Sequence, residues 1–130
     1  MDAITYAAPT AMARTAPCVP RAIGQASLTA APRAGRSRIA ALRQQGSLKL
    51  LFPRPEGDGL QSVLVNTAGG VTAGDRFVLD ARAEPGAALT LTTQAAERAY
   101  RAQGPEPGRI DTRLGVAPGA SLAWLPQETI

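Results

Sequence analysis

The chain has 130 residues, enough for one ordinary domain and too few for two. Hydrophobic residues make up 45% and aromatics only 4%, so a core has to be built mainly from Leu, Val, Ile and Ala. No apolar run approaches the roughly 18 residues that a membrane helix needs, and the net charge of +4 is almost all arginine, Lys49 being the only lysine.

Residues 1–23 carry Pro9, Pro17 and Pro20 among Ala and Thr with no periodic apolar pattern, and read as a flexible leader. Arg14, Arg21, Arg33, Arg36, Arg38 and Arg43 precede residue 46, where Asp2 is the only acid. A basic arm of this kind suits nucleic acid or an acidic partner. It lacks the interleaved aromatics on which bases stack, so nucleic-acid binding is not expected. Cys18 is the only cysteine, which rules out an intrachain disulfide and suits a reducing compartment. No continuous apolar stretch marks a secretory signal. The acid-poor leader has a faint likeness to an organelle transit peptide, but the expected location is the cytoplasm.

From Gly24 to Ile130 the texture changes to short apolar stretches broken by Gly and Pro. Residues 25–29, 38–42, 48–52 and 62–66 are predicted strands. The clearest strand spans 76–83, where Phe77, Leu79, Ala81 and Ala83 fall on one face and Arg76, Asp80 and Arg82 on the other. A Pro85-Gly86 turn leads into 88–94, which alternates Leu89 and Leu91 against Thr90 and Thr92. Residues 95–103 fit a short helix or a continued strand equally well. Residues 109–116 alternate again, and a Pro118-Gly119 turn leads into 121–125. Residues 84–94 resemble residues 117–127 at a constant spacing of 33, from Pro85 to Pro118 and from Gln94 to Gln127. Repeated strand-turn-strand units predict an all-β fold of stacked strands, solenoid or β-helix in character.

The most distinctive stretch is Asn66-Thr-Ala-Gly-Gly-Val-Thr-Ala-Gly-Asp75. Gly69, Gly70 and Gly74 permit positive φ and close backbone approach, and successive N–H groups there could form an anion nest. The spacing matches neither a dinucleotide fingerprint nor a P-loop, and favours a tight turn that Asp75 caps or edges with a carboxylate. Catalysis is not expected. The chain has no histidine, so no Ser-His-Asp or Cys-His pair can be assembled, and Thr92 and Thr93 lack a visible base. Spacing singles out no carboxylate pair among Asp75, Asp80, Glu97, Asp111 and Glu128. A tight Zn²⁺ or Ni²⁺ site is equally unexpected, because only oxygen donors are at hand. Weak oxygen contacts suit a conduit, where a passing ion must be able to leave each stop.

Four blocks in order resemble the urease accessory protein family UreD, also called UreH. They are Gln45-Gly-Ser-Leu-Lys-Leu50, Asn66 to Asp75, Leu91-Thr-Thr-Gln-Ala-Ala-Glu-Arg-Ala-Tyr100 and Trp124-Leu-Pro-Gln-Glu-Thr-Ile130. The resemblance spans about Gly24 to Ile130. It implies a non-enzymatic, β-rich protein that binds apo-urease and, with UreF and the GTPase UreG, assists nickel insertion into urease. Contact with GTP would come only through UreG, no cofactor would be held tightly, and nickel would be in transit. Carried over by motif, Asp75 is the first choice for an ion-contacting position and Glu128 the second. Gly69, Gly70, Gly74, Thr92, Thr93 and Gln94 are passage or structural positions.

Two departures stand out. Ala73 replaces a glycine usual in the block, and would cost roughly 1 kcal/mol if the position needs φ > 0. The family also continues beyond the segment ending at Ile130, so an N-terminal portion with an unpaired edge and poor autonomous stability is expected. Two other readings compete: a β-solenoid interaction module unrelated to urease, and a hydrolase using Asp75 and Glu128 as paired carboxylates.

Overall fold

A computed structural model describes residues 21–130. The leader up to residue 20 and Cys18 lie outside the described residues. The described residues form eight strands and no helix: β1 (Ile23–Arg33), β2 (Arg36–Gly46), β3 (Leu48–Leu51), β4 (Leu60–Asn66), β5 (Arg76–Ala83), β6 (Ala88–Thr93), β7 (Arg109–Val116) and β8 (Ser121–Leu125). Every predicted strand is present. The period-two signal was strongest in β5 and β7, and there the observed bounds coincide with the prediction.

The strands form two four-stranded sheets, ordered β2-β1-β5-β7 and β3-β4-β6-β8. Each is mixed. A hairpin supplies one antiparallel pair, β1–β2 or β3–β4, and the remaining strands are added in parallel. From β5 onward the chain visits the two sheets alternately. The 33-residue spacing reappears as register, with Arg76 opposite Arg109, Ala83 opposite Val116 and Leu89 opposite Leu122. The Pro-Gly turns preserve that register from one sheet to the other. Ala117 N–H donates to the Ala83 carbonyl at 3.0 Å and Ser121 N–H to the Ala87 carbonyl at 2.9 Å.

The core lies between the sheets. Ala26, Leu28 and Ala30 of β1 and Phe77, Leu79, Ala81 and Ala83 of β5 pack toward Leu48, Leu50, Leu89 and Leu91. Small alanines on one sheet oppose leucines on the other, which lets an aromatic-poor chain fill the interlayer space. Ser62 and Asp75 are the buried polar residues among those described, and the Ser62 hydroxyl donates to the Leu51 carbonyl at 3.1 Å. β7 forms one edge, and its inward-facing positions remain open: Ile110 is 51% exposed and Val116 53%. Leu125 of β8, the corresponding edge of the other sheet, is also exposed.

Residues 95–103 form no helix. They run extended through two isolated parallel bridges, Val71 to Ala99 and Glu97 to Thr129. A helix there would forfeit the contacts that Val71 N–H and Tyr100 N–H make across the gap, at 2.7 and 2.8 Å. Ala73 is buried and is not among the residues with positive φ, whereas Gly69, Gly70 and Gly74 are. The strain expected if Ala73 had to adopt a positive φ is therefore absent.

Candidate functional site

The Gly-rich block between β4 and β5 divides into two halves with different chemistry. In the second half, Asp75 N–H donates to the Thr72 carbonyl at 3.1 Å and closes a turn. Asp75 is 4% exposed, and both oxygens of its carboxylate are occupied by backbone donors. Oδ1 accepts from Ala22 N–H and Oδ2 from Thr72 N–H, each at 2.9 Å. Asp75 thereby joins the lead-in to β1 to the head of β5 across 53 residues of chain. The N–H groups of Val71, Thr72, Gly74 and Asp75 all have protein acceptors, which leaves no nest of free donors for an anion in this half.

The first half faces outward. Asn66, at the end of β4, accepts from Ala68 N–H at 3.0 Å, the short loop that asparagine side chains favour. Its amide donates to the Gly70 carbonyl at 3.2 Å and to Glu97 Oε1 at 2.9 Å. Gly70, at φ 142°, leaves the space occupied by the Tyr100 ring and the Arg98 carbonyl, where a Cβ would collide. Asn66 and Glu97 stand between two cavities. One, of about 200 Å³, opens between the sheets against Phe77, Ile110 and Trp124. The other, of about 190 Å³, is bounded by Gly69, Gly70, Thr93 and Gln94. Leu64, Asn66, Thr93 and Glu97 line both.

The structure brings four of the expected positions, Gly69, Gly70, Thr93 and Gln94, to one cavity. Gly74 lies elsewhere, against Arg21. The Thr92 hydroxyl donates to the Leu125 carbonyl at 2.8 Å, tying β6 to β8. The Thr93 hydroxyl donates to the Ala95 carbonyl at 3.3 Å and accepts from Gln127 N–H at 2.9 Å. Gln94 is exposed, and its N–H donates to the Leu64 carbonyl at 3.1 Å. Asp75 and Glu128, the two expected ion contacts, stand apart: one is buried at the head of β5, the other exposed beyond the end of β8. The Glu128 carbonyl accepts from Glu97 N–H at 3.0 Å. Among the described residues no three acidic, histidine or cysteine side chains gather as a metal-binding group.

In the sequence Glu97 is one of five carboxylates that spacing does not distinguish. The usable signal was its place three residues after the Thr-Thr-Gln block, but its partner Asn66 is 31 residues away.

These features define an all-β protein whose best-placed polar side chains serve mostly to tie successive strands together. The family profile for UreD urease accessory protein matches residues 22–130, and the chain belongs to that family. It is similar to the urease accessory protein UreD of Rhodopseudomonas palustris strain BisA53, 52% identical over 110 residues, covering 85% of this chain and 38% of the relative. The UreD of Roseobacter denitrificans is 56% identical over 111 residues, covering 85% and 40%. That of Azorhizobium caulinodans is 45% identical over 115 residues, covering 88% and 42%. The chain thus spans about two fifths of the length of these relatives.

Proposed function

We propose that this chain serves urease maturation as a non-catalytic assembly module that binds apo-urease and works with UreF and UreG in the cytoplasm. The carrying observation is the family match across residues 22–130, which takes in all eight strands. The same match favours this reading over an interaction module unrelated to urease. In the proposed account the alternating, parallel strand pairs are the first coils of a solenoid body, and β7 and β8 are its growing edges.

Nickel enters as cargo. Asp75 already accepts from two backbone N–H groups, one at each oxygen, so an ion there would have to displace both. The transit role therefore falls to the Glu97 carboxylate, of which Oε1 takes the Asn66 amide, and to the exposed side chain of Gln94 beside it. Glu97 stands where the two cavities adjoin, and Gln94 lines one of them. A few such oxygens hold a divalent ion weakly, as transfer requires.

The test is affinity capture from cells producing the tagged chain with urease subunits, UreF and UreG. Recovery of apo-urease or UreF is expected. A folded chain that retains neither, alone or extended past Ile130, contradicts the proposal.

A further inference from the structure

At the opposite side of the Asp75 turn, three arginines converge on one open cavity of about 290 Å³. Arg76 and Arg109 are register partners at the heads of the neighbouring parallel strands β5 and β7. Adjacent strands lie only about 4.8 Å apart, and like charges placed opposite one another are destabilising. Arg21 completes the set. Its aliphatic stem lies against Gly74, where an added Cβ would come within 3.1 Å of Cγ and Cδ, so the glycine seats the arginine as well as making the turn.

The backbone holds this arrangement in place. Arg76 N–H donates to the Ala22 carbonyl at 3.0 Å, Arg109 N–H to the Asp75 carbonyl at 2.8 Å and Gly74 N–H to the Pro107 carbonyl at 3.3 Å. The described ion pairs are Arg36–Asp58 and Arg82–Glu84, so none of the three arginines is paired with a described carboxylate. Among the described residues Glu106 is the one acid lining the cavity, and the nearby Asp75 carboxylate is buried and committed to N–H groups.

From this geometry we infer that Arg21, Arg76 and Arg109 form an oxyanion-binding site. It takes a phosphate- or carboxylate-type group, either as a free anion or as an acidic side chain presented by a protein partner. Guanidinium forks match such groups with paired, charge-assisted hydrogen bonds. An anion between Arg76 and Arg109 removes the repulsion that the register otherwise imposes. The site is separate from the Asn66–Glu97 cavities and does not rest on nickel transit.

The test follows the arginine Nε–H signals of the ¹⁵N-labelled chain during titration with inorganic phosphate at constant ionic strength, and in parallel with an acetylated di-glutamate peptide. Saturable shifts confined to Arg21, Arg76 and Arg109 are expected. Arg109→Gln or Arg76→Gln should weaken binding about tenfold, whereas Arg82→Gln, outside the cavity, should leave it unchanged. Amide spectra establish that each variant is folded. Tighter binding of phosphate identifies a free anion as the ligand, and tighter binding of the peptide identifies an acidic partner segment. Non-saturating shifts spread over all arginines, or equal weakening by Arg82→Gln, overturn the inference.

Discussion

The two halves of the 66–75 block make an instructive contrast. Both depend on a short acidic or amide side chain that captures backbone N–H groups beside glycines of positive φ. Around Asp75 the side chain is buried and both carboxylate oxygens are taken by backbone N–H groups, so this half serves the fold. Around Asn66 the same kind of loop stands at the junction of two cavities and recruits Glu97 from a distant segment. Local sequence chemistry is alike in the two halves. What separates them is which strand ends lie beside them.

The largest effect is expected at Asp75. Asp75→Ala strips acceptors from two backbone N–H groups and should destabilise the chain by about 3 kcal/mol in urea unfolding. Asp75→Asn, which keeps one acceptor, should cost less. A cost below that of an ordinary surface substitution would erase the contrast. Gly70→Ala should follow, at about 2 kcal/mol, because the new methyl meets the Tyr100 ring and the Arg98 carbonyl at an unfavourable φ. Tyr100→Ala in the same background should restore part of the loss.

On the Asn66 side the prediction inverts. Glu97→Gln keeps an acceptor for the Asn66 amide, so the melting temperature should change little, equivalent to less than about 1 kcal/mol. Nickel loading of co-produced urease should nevertheless fall. The smallest effect lies outside both halves, in the β1–β2 hairpin. Ala34 and Gly35 there both have positive φ, at 51° and 76°, as a two-residue hairpin turn demands. Ala34→Gly should therefore stabilise the chain by about 0.5 kcal/mol, a gain readable in a thermal melt.

Much of the strand pattern was legible in the residues. Alternation exposed β5 and β7, and the paired Pro-Gly-Ala turns gave the 33-residue register that the parallel pairs follow. The division into two sheets was not legible, because strand pairing is a long-range choice. β1 lies parallel to β5 although 53 residues separate Ile23 from Arg76. The same distance hid the commitment of Asp75, whose partner Ala22 has no distinguishing side chain. A carboxylate in a motif looked available until the fold supplied two N–H groups. Glu97 was obscure for the opposite reason. It stands in an aperiodic segment, extended through isolated bridges rather than a continuous ladder, so no periodicity announced which way it faced.

The measurement that tests the account most directly is the nickel content of urease co-produced with the full UreD-family protein, wild type against Glu97→Gln, at equal recovery of the complex. The account predicts lower nickel with the variant while urease stays bound and the accessory protein melts as before. Unchanged nickel loading, with Asp75→Asn lowering it in a protein of undiminished stability, would contradict it and return the ion-contacting role to Asp75.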